Sequence, residues 1–170
     1  MAELVRRRGM LGASVGIFLI VLCCAATVIA EDGALEFAGK MYATDGNTLY
    51  FQGKSVRLFG IDAPEPRQYC YFDERKWNCG RRAIQELRNM IMNLEVRCNE
   101  KHKDRHGRIV AVCHVAGEDL NAWMVANGWA LANREESDEY VDEEEAASNA
   151  SKGVWVGPFV KPWDWRAGER

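Results

Sequence analysis

The chain has 170 residues, of which 48% are hydrophobic and 28% are charged. This balance is typical of a globular protein with one core, and it excludes a disordered chain, a collagen-like fibre and a membrane protein with many spans. The formal net charge is −3, which also excludes a strongly basic protein that scans DNA through its overall charge. Any contact with nucleic acid must therefore come from a local cationic site.

The first thirty residues differ in composition from the rest. Their charges are one glutamate and three consecutive arginines, and residues 10–30 are uncharged. A basic start, an apolar stretch and a small residue at Ala30 are typical of a secretory signal peptide that is cleaved after Ala30. We therefore predict a signal peptide at residues 1–30 and an exported domain, periplasmic or secreted, at residues 31–170. The alternative is an uncleaved membrane anchor at residues 10–30, since about 20 apolar residues can cross a bilayer.

The exported part, residues 31–170, contains 19 basic and 24 acidic residues, a net charge of −5. Its first elements are predicted strands. Residues Leu35–Ala43 form one, and Thr48–Phe51 and Lys54–Ile61 form a strand–turn–strand unit around Gln52-Gly53.

The next predicted element is a helix over Arg81–Met92, because its apolar residues recur at helical spacing. These residues are Ala83, Ile84, Leu87, Met90 and Ile91. The helix is expected to pack this face on the strands.

A β-hairpin is predicted after this helix. The segments Leu94–Asn99 and Arg108–Val115 are rich in β-branched residues, and they flank a turn sequence, Asp104-Arg105-His106-Gly107. If the first and last residues of this turn lie opposite each other, counting outwards along the two strands places Cys98 opposite Cys113. The register therefore predicts a disulfide across the hairpin.

Two further cysteines, Cys70 and Cys79, are then left to pair with each other. An even number of cysteines in an exported chain favours disulfides. The alternatives are four buried free thiols or a metal site, although the absence of a CxxC spacing argues against zinc.

Two helices are predicted in the last third of the chain. Asp119 can cap a helix that ends at Gly128, and a last helix is predicted over Ser137–Lys152, ended by Gly153. Three to five short strands, interrupted and followed by helices, predict an α+β protein, mainly β, built on a small barrel. Length and pattern fit an OB-fold, but periodicity leaves other α+β folds open.

Four sequence clusters contain residues that could carry chemistry. They are Asp45-Gly46-Asn47-Thr48, Arg57, Gly60-Ile61-Asp62-Ala63-Pro64-Glu65, and His106-Gly107-Arg108. Each alone has a structural explanation, as a turn, a strand charge or a strand exit fixed by proline. Together, in order and spacing, they resemble the staphylococcal nuclease (thermonuclease) family.

The resemblance extends from about Tyr42 to Trp165. It includes a DG-x-T turn, an arginine five residues before the aspartate of a D-x-P-E segment, and a G-R pair after a turn. The tail Pro162-Trp163-Asp164-Trp165 is similar to that of exported bacterial members. This resemblance implies a five-stranded OB-fold barrel with about three packed helices, and a nuclease that cleaves DNA, RNA or both with little sequence preference.

The resemblance also implies roles for individual residues. Arg57 and Arg108 correspond to the arginines that bind phosphate, and a guanidinium suits this task because its planar fork bonds two oxygens and keeps its proton. Glu65 corresponds to the carboxylate that orients or deprotonates water. His106 and Arg105 would contact the substrate, with His106 stacking on a base.

A calcium ion is implied at Asn47, Asp62 and the carbonyl oxygen of Ala63, which are hard oxygen donors. The family usually has aspartate where this chain has Asn47, so we expect a weakened calcium site. No organic cofactor is expected, the state is expected to be monomeric, and no stable membrane association is expected once the signal is cleaved.

Two other functions remain open. One is a non-catalytic OB-fold module that binds nucleic acid or protein through the same groove, with its metal site eroded at Asn47. The other is a small structural protein of the cell envelope, held by an uncleaved N-terminal helix. Retention of Arg57, Glu65 and Arg108 together favours the enzyme, since a binding module has no need of the glutamate.

Overall fold

The structure, a computed structural model, describes residues 35–170, so the predicted signal peptide or anchor at residues 1–30 lies outside the described residues. Within the described part, the chain forms short β-strands and four α-helices. The strands are β1 (Glu36–Gly39), β2 (Tyr42–Asp45), β3 (Thr48–Phe51), β4 (Lys54–Leu58), β5 (Ile61–Asp62), β6 (Cys70–Phe72), β7 (Arg75–Trp77), β8 (Val96–Lys103), β9 (Ile109–Val115), β10 (Glu118–Asp119) and β11 (Leu131–Ala132). The helices are α1 (Cys79–Ile91), α2 (Leu120–Ala126), α3 (Val141–Asn149) and α4 (Pro162–Ala167), with a 3₁₀ helix at Gly153–Val156. Among residues 35–170, no helix is long and apolar enough to span a bilayer.

Seven of these strands form one sheet in the order β1-β8-β9-β4-β3-β2, with β10 paired to β9. The predicted strand Leu35–Ala43 is in fact two strands, broken at Lys40-Met41. Its first half, β1, pairs with β8, and its second half, β2, pairs with β3 at the other edge of the sheet. One stretch of chain thus connects both edges of a sheet that curls into a half barrel. The predicted α+β, OB-like fold class is confirmed.

The main hydrophobic core lies between this sheet and the helices α1 and α2. Strand residues such as Leu49 and Val56 are fully buried, and α1 contributes Leu87 from the apolar face that its spacing predicted. Helix α1 begins at Cys79, two residues before the predicted start, because the Asn78 side chain accepts a hydrogen bond from the backbone N–H of Arg81 and caps it.

The two disulfides join the predicted pairs, Cys70 with Cys79 and Cys98 with Cys113. The hairpin reaches the predicted register by a different route, however. The backbone N–H of Asp104 donates to the carbonyl of Arg108, so the turn is one residue longer than predicted. An irregularity of one residue in β8, between Glu100 and His102, restores the register that brings the two cysteines together.

Replacing both Cys98 and Cys113 by alanine is expected to lower the free energy of unfolding by about 2–4 kcal/mol, because the open chain regains the entropy of the loop. The measurement is denaturant unfolding of the variant beside wild type with and without reductant. Mass spectrometry of the non-reduced protein should find no free thiol at residues 31–170. Four free thiols there, or equal stability of the variant, would contradict the assignment.

The C-terminal third departs most from the sequence-based expectation. Asp119 caps α2 as predicted, since its carboxylate accepts from the backbone N–H groups of Asn121 and Ala122. The start of the last predicted helix is wrong: α3 begins at Val141, and Ser137 instead accepts a hydrogen bond from Glu139 in the preceding turn. The sequence patterns also missed α4.

Helix α4 is attached to the body of the protein through a second, smaller hydrophobic cluster. The Cys70–Cys79 disulfide lies in this cluster, and Trp163 of α4 packs against it. The backbone N–H of Tyr71 donates to the carbonyl of Pro158 at 3.0 Å, and the buried Gln68 side chain donates to the carbonyl of Val160 at 2.5 Å. These contacts fix the chain between the 3₁₀ helix and α4, and so they help to set the position of α4.

Candidate active site

Six of the predicted site residues line one polar cavity of about 290 Å³ at the end of the sheet. They are Asn47, Arg57, Asp62, Ala63, Glu65 and Arg108. They come from the β2–β3 turn, β4, β5 and the loop after it, and the end of the β8–β9 hairpin. Residues far apart in the sequence therefore line one cavity.

Two close backbone approaches bring these segments together. A Cβ atom at Gly46 would lie 2.5 Å from the Cβ of Ala63, so glycine lets the β2–β3 turn lie against the loop after β5. A Cβ at Gly80 would overlap the carbonyl of Glu65, so glycine also lets the start of α1 reach that loop. Buried Gln68 fixes the loop further, because its side-chain oxygen accepts from the backbone N–H of Glu65 at 3.1 Å.

Arg57 reaches the cavity from β4. Its Nη2 donates to the carbonyl of Ile61 at 3.4 Å and lies 3.8 Å from Oδ1 of Asp62. The side chain is 20% exposed, so the guanidinium is partly desolvated where a ligand in the cavity would meet it. A cation in such a position is screened less than one on the open surface.

Asp62 is the most buried carboxylate of the cavity, with a side chain that is 4% exposed. Burial of a charge is costly unless it is paired. Oδ1 accepts from Nδ2 of Asn47 at 3.3 Å and from Nη1 of Arg166 at 3.1 Å, and Oδ2 accepts from Nη2 of Arg166 at 2.5 Å. Hydrogen bonds thus satisfy both oxygens of this carboxylate.

Arg166, on α4, is a cavity residue that the sequence-based assignment missed. Besides its two bonds to Asp62, its Nη1 donates to Oε1 of Glu65 at 2.9 Å. The hydrogen bonds with Asp62, and then the one with Glu65, raise the pKa of Arg166 above its usual range despite partial burial, which acts in the opposite direction. Pro162 at the start of α4 was the sequence signal for a helix here, since proline favours the first turn.

Asn47 is buried beside Asp62 and presents its amide nitrogen to that side. Nδ2 donates to the carbonyl of Ile61 and to Oδ1 of Asp62, each at 3.3 Å. Coordination of a cation next to Asp62 through the amide oxygen would require the amide to rotate by half a turn. Compared with the aspartate that the resemblance implies at this position, asparagine therefore differs in both charge and donor pattern.

The cavity offers the type of ligand atom that calcium prefers, because Asp62, Asn47 and the carbonyl of Ala63 all have hard oxygens. Within residues 35–170, no three His, Cys, Asp or Glu side chains gather in a way that could hold a metal ion. A calcium ion would thus rest on one aspartate, an amide and a backbone carbonyl. It would also meet the guanidinium of Arg166 at the same carboxylate.

Arg108 is oriented by Asp104, a second residue that the sequence-based assignment missed. Oδ2 of Asp104 accepts from Nε of Arg108 at 2.6 Å, and Oδ1 accepts from the backbone N–H groups of His106 and Arg108. Desolvation raises the pKa of Asp104, but these hydrogen bonds, led by the side chain of Arg108, lower it to about 2. The carboxylate stabilises the hairpin turn fully above its usual pKa of 3.8, and this stabilisation is lost only as the pH falls to about 2.

His106 and Arg105 lie in the exposed turn and are not among the residues that line the cavity. Nε of Arg105 donates to Nε2 of His106 at 3.1 Å, so the two side chains pair with each other. A substrate that extends beyond the cavity along the hairpin could contact both.

Replacing Asp104 by alanine is expected to lower turnover on nucleic acid by about three- to tenfold, because Arg108 loses the charged partner that orients it. Asp104→Asn is the matched variant: it keeps an oxygen for the two backbone N–H groups but loses the charge. Turnover should fall in both variants, whereas thermal stability should fall mainly in Asp104→Ala. Unchanged kinetics in both would show that Asp104 does not position Arg108.

Comparison with known proteins identifies the family of the chain. Residues 55–157 match the family described as staphylococcal nuclease homologue. Protein ParB of Escherichia coli is 33% identical over 84% of this chain and 86% of its own length. The succinoglycan biosynthesis protein ExoI of Rhizobium meliloti is 32% identical, covering 77% and 72%, and an uncharacterized endonuclease of Haemophilus influenzae is 31% identical, covering 75% and 71%. The chain belongs to the staphylococcal nuclease homologue family.

Proposed function

We propose that this protein is an exported nuclease that hydrolyses phosphodiester bonds of DNA, RNA or both, with calcium assistance and little sequence preference. The observation that carries the proposal is that Arg57, Glu65 and Arg108 line one cavity. Family membership supports a nuclease, and one similar protein is named as an endonuclease.

The two arginines fit the binding and stabilisation of a phosphate. Hydrolysis of a phosphodiester builds negative charge on the phosphate oxygens in a five-coordinate transition state. Arg57, from β4, and Arg108, from the hairpin, enter the cavity from different elements, so they can bond different oxygens of one phosphate. Arginine suits this role because a guanidinium group in general keeps its proton and its positive charge.

Glu65 fits the role of the group that orients or deprotonates the attacking water. Its side chain is 34% exposed, so water can reach it. Its backbone N–H is fixed by Gln68, which limits the positions that the carboxylate can adopt. To accept a proton, the carboxylate must have an oxygen that is not engaged with Arg166.

Asp62, Asn47 and the carbonyl of Ala63 would hold the calcium ion. When bound, the ion supplies a divalent positive charge next to the phosphate oxygens. With one acidic ligand among the three, we expect a need for calcium well above that of a site with two aspartates. Binding of nucleic acid through Arg57 and Arg108 should persist without the metal.

Export is supported by the two disulfides, which form and persist in oxidising compartments. We assign residues 1–30 as a signal peptide cleaved after Ala30, which leaves the nuclease domain at residues 31–170, periplasmic or secreted and monomeric. Anchoring through residues 10–30 is the alternative.

The deciding experiment incubates the exported protein, with its disulfides closed, with single-stranded DNA, double-stranded DNA and RNA in calcium or in EDTA. Degradation that depends on calcium is expected. A Glu65→Gln preparation, purified in parallel, controls for contaminating nucleases. Degradation that is equal in both preparations would contradict the proposal.

A second function, a non-catalytic module that binds nucleic acid, is favoured by one observation. Arg166 pairs with both Asp62 and Glu65, the carboxylates on which metal binding and proton transfer depend. Retention of labelled DNA without cleavage in calcium, in the same experiment, would support this function over the nuclease.

A further inference from the structure

A single side chain from the C-terminal helix engages both carboxylates that the proposed reaction needs. The guanidinium of Arg166 makes two hydrogen bonds to Asp62, at 3.1 and 2.5 Å, and one to Glu65, at 2.9 Å. Charged hydrogen bonds of this kind are roughly twice as strong as neutral ones. Helix α4 therefore places a positively charged side chain in the site.

The helix that carries Arg166 is fixed to the body of the protein, whereas the side chain itself can leave. Trp163, one turn before Arg166, packs in the cluster around the Cys70–Cys79 disulfide, and Pro162 is buried. The Arg166 side chain is 45% exposed. It can thus swing towards solvent without unfolding α4.

A calcium ion and this guanidinium compete for the same oxygens. Calcium needs direct contact with carboxylate oxygens at about 2.3–2.6 Å, and both oxygens of Asp62 are already engaged by Arg166. Two cations on one carboxylate repel each other, and Arg57 adds further positive charge 3.8 Å from Oδ1. Since Asn47 is neutral, it adds no charge that would favour the divalent ion over the guanidinium.

We propose that Arg166 is an intrinsic competitor of calcium, which occupies Asp62 and Glu65 in the metal-free protein and must be displaced before calcium binds. Arg166 then sets how much calcium the protein requires, and its departure also releases Oε1 of Glu65. This inference rests on the proposed function, since it concerns the same carboxylates. It assigns to the C-terminal helix a role in the site beyond packing.

The experiment measures calcium binding by isothermal titration calorimetry, on the exported protein without nucleic acid. Arg166→Ala is expected to bind calcium about tenfold more tightly than wild type, because the ion no longer has to break the charged hydrogen bonds. Arg166→Gln keeps much of the side-chain length without the charge, and it should show the same direction of change. In EDTA both variants should melt at a lower temperature than wild type, and calcium should restore more of their stability.

Arg170→Ala is the matched control, because it removes the same charge from the same terminal segment. Arg170 bonds the backbone carbonyls of Trp165 and Glu169, at 2.8 and 2.7 Å, so its removal should leave calcium affinity near that of wild type. If Arg170→Ala gained as much calcium affinity as Arg166→Ala, the proposal would be overturned, since the loss of one positive charge from this segment would then explain both results.

Other results would also overturn it. These are unchanged calcium affinity in both Arg166 variants, absence of calcium binding in all the proteins, and failure of both variants to fold, which would make Arg166 a structural residue. Because the titration contains no nucleic acid, its result does not depend on whether the protein is a nuclease. A protein without nuclease activity that still gains calcium affinity on loss of Arg166 would contradict the function and support the competition.

Discussion

Replacement of Arg108 by alanine is expected to lower the turnover of nucleic acid by about a hundredfold or more, because one transition-state donor is worth about 3 kcal/mol. The fold should survive, since the side chain is 41% exposed and Asp104 keeps its backbone hydrogen bonds in the turn. Initial rates at saturating substrate and calcium, together with the melting temperature, measure both effects. Arg57→Ala and Glu65→Ala are expected to cause losses of the same order.

Two further variants separate the role of Arg108 from a general loss of charge. Arg97→Ala removes a cation of β8 that is 60% exposed and pairs with Glu36 and Glu95, so its turnover should stay near wild type. Arg108→Lys keeps the charge but loses the planar fork, and it should recover only part of the activity. A folded Arg108→Ala protein with normal turnover would remove Arg108 from the catalytic assignment.

The features that the sequence predicted correctly are those that local rules determine. The pairing of Cys98 with Cys113 followed from strand register, because an antiparallel hairpin fixes which residues face each other. The prediction assumed a shorter turn, and a compensating bulge in β8 leaves the same pair opposite. The residue pairing at the disulfide could thus be predicted correctly although the length of the turn could not.

The meeting of the cavity residues could be anticipated because their spacing resembled a family with a known arrangement. The hydrogen bonds among these residues could not be anticipated from the sequence. Asp62 and Arg166 are 104 residues apart in the sequence, and α4 has six residues, too few for a periodic pattern. An ion pair of this kind depends on tertiary packing, here through Trp163 and the disulfide at Cys70, rather than on propensity.

The start of α3 shows how a local rule can fail. Ser137 is a good helix cap by residue type, but its hydroxyl accepts from Glu139 within a turn. Tyr140, buried in the main core, fixes the chain at that point, and the helix begins after it. A residue type that favours the cap position therefore does not by itself determine where a helix begins.

Asn47→Asp is expected to make calcium binding about tenfold tighter or more, because a second carboxylate attracts a divalent ion more strongly than it attracts a guanidinium. Without calcium the same change should be destabilising. Nδ2 of Asn47 donates to the carbonyl of Ile61 and to Oδ1 of Asp62, and aspartate would place an acceptor against these two acceptors. Like-charge repulsion with Asp62 would add to that cost.

Calcium titrations of activity and of melting temperature, run on wild type and Asn47→Asp, measure both parts of this prediction. The variant should melt below wild type in EDTA, gain more stability from added calcium, and reach half-maximal activity at a lower calcium concentration. Asn149→Asp, an exposed site in the last turn of α3, makes the same chemical change away from the cavity and should leave the calcium response unchanged. Superimposable titrations of Asn47→Asp and wild type would mean that Asn47 does not face the ion. Lower stability in EDTA that calcium fails to restore would mean that the amide is a structural donor alone, and that calcium acts without position 47.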